Sequence, residues 1–178
     1  FNAKPRPGDK VAVLGLGGLG HLAIQFAKAK GHHVVVVTRN KDKAPLAKKL
    51  GADEVVIASS DIGKALLEIG GVDIILHVSN SSKMASEAID GLLPEGRLVV
   101  MGLDSNAINI PPFKLLVHQK KVIGSMQNER RDLVDILEEA AKGKVIPMIE
   151  TYPLEEINTV FDKLKNDQVH FRAVLKIT

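Results

Sequence analysis

The residues most able to do chemistry lie in one run of six, Gly15-Leu16-Gly17-Gly18-Leu19-Gly20, which has the spacing G-x-G-x-x-G. The run follows the apolar stretch "VAVL" and opens a helical pattern that leads into a second apolar stretch, "HVVVVT". A strand, a glycine turn and a helix within about thirty residues form the dinucleotide fingerprint. Glycines permit the tight turn, and with no side chains there, backbone N–H groups and the helix N-terminus can face a pyrophosphate. In such a unit an acid at the end of the second strand bonds the ribose 2′-hydroxyl and repels a 2′-phosphate. Here that place holds Thr38, followed by Arg39, Asn40, Lys41 and Lys43. A hydroxyl, a guanidinium fork and a lysine in the next helical turn suit a phosphate, so the expected cofactor is NADP rather than NAD.

Other chemistry is harder to assemble. The chain has no cysteine, hence no thiolate nucleophile, disulfide or cysteine metal ligand. Its six histidines show no ligand spacing for a tetrahedral zinc. His21 opens the first helix, either on the cofactor side or as a polar first-turn residue. His32 and His33 are adjacent and point opposite ways in a strand. His77 lies near a strand end as a bonded strand histidine or a residue bordering the cofactor, and His118 and His170 read as surface residues. The acid pairs Glu138-Glu139 and Glu155-Glu156 sit on amphipathic helices and read as solvated faces. No general base stands out.

The elements that must position the glycine run follow from periodicity. Short apolar runs bounded by Gly, Pro, Asn or Asp predict strands at 10–14, 33–38, 54–57, 72–78, 96–101 and 121–125. Helical patterns fall between them at 19–30, 41–50, 62–69 and 83–93, the last ended by Pro94. Alternation of this kind implies an α/β fold, a doubly wound parallel six-stranded (Rossmann) sheet of order 3-2-1-4-5-6. A C-terminal helix–strand appendage follows: a helix at 129–142 capped by Asn128, an extended segment, a helix from about 154 to 166, and a closing strand "RAVLKIT".

Of the 178 residues, 45% are hydrophobic, almost all Val, Ile, Leu and Ala, which suits buried parallel strands against aliphatic helices. The net charge of +3 is spread over scattered Lys and Arg without interleaved aromatics, so no nucleic-acid partner is expected. No apolar run reaches the roughly 18 residues of a membrane span, and no membrane partner is expected. A reducing cytoplasm fits the absence of cysteine. The opening "FNAKPRPGDK" reads as a linker entering a strand, so the chain is expected to be a fragment.

The segments "PGDKVAVLGLGGLGHLAIQFAKAKG", "TRNKDK", "KKLGADEVV", "VDIILHVSNS", "LLPEGRLVVMGL", "VIGSM" and "FRAVLKI" together resemble the zinc-containing medium-chain alcohol dehydrogenase/reductase family, in particular its NADPH-using cinnamyl-alcohol-dehydrogenase-like branch. The resemblance spans nearly the whole chain. It implies that Gly17, Gly18 and Leu19, between Gly15 and Gly20, offer backbone donors to the pyrophosphate, and that Thr38, Arg39, Asn40 and Lys43 surround the 2′-phosphate. It further implies that Val78, Ser79, Met101, Gly102 and Leu103 line the nicotinamide and its ribose. Ser125 and Gln127 match main-chain partners of the carboxamide, and Arg172 matches an arginine that reaches the pyrophosphate. A glycine that relatives often carry after the "GS" pair is missing from "GSMQNE".

Residues 1–126 would then be the NADP-binding domain, and 127–178 the return toward a catalytic domain. The zinc ligands, proton relay and most of the substrate pocket would belong to an upstream domain absent from this sequence. The implied function is hydride transfer between NADP(H) and a small-molecule alcohol or aldehyde, with the fragment alone inactive. A zinc-independent quinone or enone reductase of the same superfamily and a stand-alone NADPH-binding module are the alternatives. The segment "INIPPFKLLVHQK" with strand six could offer an apolar edge for a homodimer.

Overall fold

The computed structural model describes residues 2–126, 129–166 and 168–177. Six strands, β1 (Lys10–Leu14), β2 (His33–Thr38), β3 (Glu54–Ile57), β4 (Val72–His77), β5 (Leu92–Val100) and β6 (Lys121–Gly124), form one parallel sheet of order β3-β2-β1-β4-β5-β6. The order reverses between β1 and β4, which opens a crevice at the carboxyl ends of these two strands. That crevice is where open α/β sheets bind ligands.

Side chains alternate across the sheet and build a core on each face. Ala12, Leu14, Val35 and Val37 face α3 (Ile62–Glu68) and α4 (Ser82–Ala88), meeting Ile62, Leu66, Ala85 and Ala88. Val11, Val13, Val34 and Val36 face α1 (Gly20–Ala29) and α2 (Ala44–Lys49), meeting Ile24, Ala27 and Ala47. Valine-rich strands buried on both faces are what a parallel sheet with two helical layers requires.

Two expected helices are shorter than their patterns imply. The helix expected at 83–93 ends earlier, at Ala88, with a 3-10 turn over Ile89–Gly91, and β5 starts at Leu92 and runs through Pro94. The β4–β5 register shifts between Val72 and Ile74, so Pro94 falls in the irregular part of the ladder, where its missing N–H is tolerated. The helix expected at 41–50 divides into a 3-10 turn, Lys41–Lys43, and α2, because Pro45 fits only the first turn of the helix. A short helix, α5 (Pro112–Leu116), lies within the segment expected to offer an apolar edge.

Beyond β6 lie α6 (Arg130–Ala141), β7 (Ile149–Pro153), α7 (Ile157–Lys165) and β8 (Arg172–Lys176). The expected cap Asn128 lies outside the described residues. The extended segment and the closing strand pair with each other in parallel, from Ile149 opposite Arg172 to Pro153 opposite Lys176. At the other end of the chain, buried Arg97 in β5 holds the entry segment: its guanidinium lies 2.5 Å from Asp9 and donates to the carbonyls of Lys4 and Ala3 at 2.7 and 3.2 Å.

Candidate functional site

The glycine run turns directly out of β1. Gly15 has φ +103°, a conformation L side chains rarely adopt, and its N–H donates to the Val37 carbonyl at 3.1 Å. A Cβ on Gly20 would run into the carbonyl oxygen of Gly15, so the chain can enter α1 this tightly only without a side chain there. A Cβ on Gly18 would lie 2.5 Å from the Phe171 carbonyl oxygen and 3.3 Å from Cδ of Arg172, because the C-terminal strand approaches the loop at that point. Around Gly17 there is open space.

Among the described residues, the N–H groups of Gly17, Gly18 and Leu19 find no hydrogen-bond acceptor, and the first turn of α1 has neither a side-chain cap nor an acid. Unpaired donors at the positive end of a ten-residue helix, beside an opening, suit a doubly charged pyrophosphate. A dinucleotide therefore fits the loop that this chain presents.

At the end of β2 the expected residues divide their tasks. Thr38 is buried, and its Oγ1 accepts from the Asn40 N–H at 3.2 Å. The Asn40 side chain caps the 3-10 turn by accepting from the Asp42 N–H at 2.8 Å. Lys43 Nζ reaches back to the Leu16 carbonyl at 3.2 Å and ties the turn to the glycine loop. Arg39 is exposed, and no carboxylate pairs with it among the described residues. The Thr38 hydroxyl is thus engaged in shaping the turn, and of the expected site residues Arg39 is the cation left facing outward, with exposed Lys41 beside it.

The ends of β4 and β5 meet the loop from the other side of the crevice. A Cβ on Gly15 would touch Cβ of Ser79 at 3.1 Å, and one on Gly102 would overlap the Ser79 carbonyl oxygen. The carbonyl of buried His77 receives the N–H groups of Met101 and Gly102 at 2.9 and 3.0 Å. Its Nε2 bonds the Ser81 carbonyl at 3.1 Å, and burial lowers its pKa below the ordinary histidine value. Val78 and Met101 are half-buried and Leu103 is exposed beyond them. The Ser125 N–H extends the β5–β6 ladder to the Val100 carbonyl at 2.9 Å, while Gln127 lies outside the described residues. Gly15, Gly18, Gly20, Val78, Ser79, Gly102 and Arg172 are thereby brought together around the switch point.

The other histidines separate as their positions imply. His32 is buried, and His33 points outward and lies 2.8 Å from Glu54. His118 and His170 are exposed. His21 lies in the first turn of α1 with its ring fully buried, Nδ1 3.1 Å from the Gly17 carbonyl and Nε2 3.0 Å from the Met148 nitrogen. Among the described residues no group of three or more His, Asp or Glu could hold a metal ion. A tetrahedral zinc does not fit the donors of the described residues.

Comparison with known proteins points in one direction. A family model described as zinc-binding dehydrogenase matches residues 18–142. An alcohol dehydrogenase of Geobacillus stearothermophilus is 41% identical over 174 residues, covering 97% of this chain and 51% of that protein. The crystal structure of the alcohol dehydrogenase from the hyperthermophilic archaeon Aeropyrum pernix is similar with a TM-score of 0.89 at 30% identity, over 99% of this chain and 52% of that one. A cinnamyl alcohol dehydrogenase from Sorghum bicolor gives 0.84 at 29% identity, over 94% and 48%. The sorghum enzyme is one structural neighbour among several, so the likeness reaches the wider family and not that branch alone. The chain spans about half the length of the curated relatives it matches.

Proposed function

The chain belongs to the zinc-binding dehydrogenase family, and from that premise we propose that it is the NADP-binding half of an alcohol dehydrogenase or aldehyde reductase of the cinnamyl-alcohol-dehydrogenase-like kind. The observation that carries the reading is the switch-point crevice: among the described residues, three backbone N–H groups of the glycine loop have no acceptor, and Arg39, exposed and without a carboxylate partner, follows a β2 end, Thr38, that is not an acid. Residues 1–126 form the binding domain that supplies most of this site, and residues 127–178, which add Arg172, return toward the other half of the protein. A zinc, its ligands and most of the substrate pocket belong to that other half, together with the alcohol or aldehyde specificity. The same reading carries a cytoplasmic setting and a homodimer built on the β6 edge, where Val122 and the α5 residues Phe113 and Leu116 are exposed.

When bound, the nicotinamide supplies the hydride-transfer chemistry. The chain's own residues do the positioning. The N–H groups of Gly17, Gly18 and Leu19 receive the pyrophosphate, joined by Arg172 from β8. Arg39, steered by the Thr38–Asn40 turn and Lys43, receives the 2′-phosphate. Val78, Ser79, Met101, Gly102 and Leu103 form the wall for the nicotinamide and its ribose, with Ser125 toward the carboxamide. Fixing the reacting ring against a preformed wall is how a binding half contributes to rate.

Paired calorimetric titrations with NADPH and NADH at one ionic strength test the proposal. A hydrogen bond to a charged group contributes about 1.5–3 kcal/mol, and for an exposed guanidinium the lower end applies, so NADPH should bind about tenfold tighter. Arg39→Ala should erase that difference and leave NADH affinity unchanged. Equal affinities in the unaltered chain would refute the 2′-phosphate assignment, and no binding of either nucleotide would refute the whole reading.

A further inference from the structure

His21 and Gln25 stand one turn apart on α1, and together they read the backbone of an extended segment more than 120 residues further along the chain. Gln25 Oε1 accepts from the Ile146 N–H at 2.8 Å, and its Nε2 donates to the Ile146 carbonyl at 3.0 Å. His21 takes the next alternate residue, accepting at Nε2 from the Met148 N–H at 3.0 Å. The match is geometric: four helical residues advance about 6 Å, and two extended residues advance about 6.6 Å. Met148 leads straight into β7, which pairs with β8 and so fixes Arg172 above Gly18.

The partners of the ring also dictate its protonation. Nδ1 faces a carbonyl, Gly17 O, and must donate. Nε2 faces an N–H and must accept, so only the neutral Nδ1–H tautomer satisfies both. The ring is fully buried, with the Phe171 ring 4.8 Å away. The charged group acting on it among the described residues is the Arg172 guanidinium of β8, a like charge to imidazolium, and no carboxylate faces it from α1, the 146–148 segment or β8. Burial first, then Arg172, hold its pKa below the ordinary value, against the Gly17 and Gly18 backbone, which raises it.

We propose that His21 is a positioning residue: its neutral imidazole latches the return segment to the glycine loop through Gly17 and Met148, so that dinucleotide binding is linked to protonation of this one ring. The linkage rests on the cofactor reading above. Protonation turns Nε2 into a donor facing a donor, and the latch opens. Opening lets β7–β8 and Arg172 leave the loop whose N–H groups meet the pyrophosphate, while the Gly17 carbonyl keeps both the Nδ1–H and the His21 backbone N–H at 3.1 Å.

The test uses the 178-residue chain with ¹⁵N-labelled histidine, NADP⁺ as ligand, and the variants His21→Gln and His21→Leu. Gln offers a non-titrating acceptor at about the reach of Nε2. At neutral pH the ¹⁵N spectrum should show the proton on Nδ1 of His21, and the exchange protection of the Met148 amide should fall with acidification in step with the titration of that ring. Leaving a buried hydrogen-bonding group unpaired changes an equilibrium by roughly five- to a hundredfold, so NADP⁺ affinity should weaken by about tenfold across that titration. In His21→Gln, Met148 protection should persist in acid and the weakening should shrink to the ligand's own phosphate titration, common to both proteins. His21→Leu should leave Met148 unprotected at every pH.

A proton on Nε2 at neutral pH, or Met148 protection that ignores the His21 titration, overturns the latch. The same pH profile of NADP⁺ affinity in His21→Gln as in the unaltered chain overturns the linkage while leaving cofactor binding in place. Absence of NADP⁺ binding at every pH overturns the cofactor reading and the linkage with it, and the nitrogen spectrum and Met148 protection then report on the latch alone.

Discussion

Replacing Arg97 by methionine should lower the melting temperature more than any surface substitution. The Arg97 and Asp9 side chains are each about one-tenth exposed and lie 2.5 Å apart, and Arg97 also supplies donors to the Lys4 and Ala3 carbonyls. Methionine keeps the apolar stem and removes all three contacts, leaving the Asp9 carboxylate with the Arg6 N–H at 2.8 Å. Removing one side of a buried ion pair costs about 3–5 kcal/mol, because the surviving charge is stranded away from water. In a chain of this length each kcal/mol lowers the midpoint by roughly 2–4 °C, so the melt should move down by roughly 6–20 °C. Thermal melts followed by circular dichroism, with urea titrations to check that the slope is unchanged, read the effect. The double variant Asp9→Leu/Arg97→Met strands no charge and should recover most of the loss. A shift below roughly 2 °C for Arg97→Met, or a double variant as unstable as the two single losses added, would refute the claim that the pair holds the entry segment on β5.

Four further outcomes are expected. Gly18→Ala places a Cβ 2.5 Å from the Phe171 carbonyl and should cost about 1–3 kcal/mol in urea titrations while weakening dinucleotide binding, since Phe171 and Arg172 must withdraw. The backbone N–H groups of Ser82 and then Asn106 hold the Asp104 pKa down at about 2. Its folded value lies below the unfolded one, so its contribution is present above the ordinary value of 3.8 and is lost as pH falls through about 2, readable as loss of amide protection at Ser82 and Asn106. Burial lowers the pKa of both His21 and His77, so the stability they confer is complete above the ordinary value of 6.5 and declines as pH falls from there toward each lowered value; denaturant midpoints that rise on acidification across that window would contradict it. Light scattering across a wide concentration range should show dimers that Val122→Lys abolishes, and a monomer throughout would remove the β6 edge from the proposal for this chain.

Much of the sheet was legible because parallel strands buried on both faces must be continuously apolar. The runs "KVAVL", "HVVVVT" and "EVVI" mark β1, β2 and β3 at their observed bounds. The glycine loop was legible for the same local reason, since Gly15 and Gly20 answer to a turn only a few residues wide. Pro94 misled, because a proline that ends a helix by local rules also tolerates an irregular strand edge, and only the shifted β4–β5 register distinguishes the two. The five-residue α5 carries too short a pattern to register as a helix. At the candidate site, the glycine run and the basic β2 end could be read directly, whereas the turn-shaping task of the Thr38 hydroxyl could not, because it depends on where Asn40 folds back.

The sequence by itself determined the alternating elements, the sheet order and the open turn at Gly17, since periodicity and the steric needs of glycine act over a few residues. Only the tertiary structure decided which distant groups share a buried polar bond: Arg97 with Asp9, 88 residues apart, and His21 with Met148, 127 apart. A hydrogen bond between such partners contributes only after the whole fold has brought them together and removed water from both, so no local pattern of residues announces it.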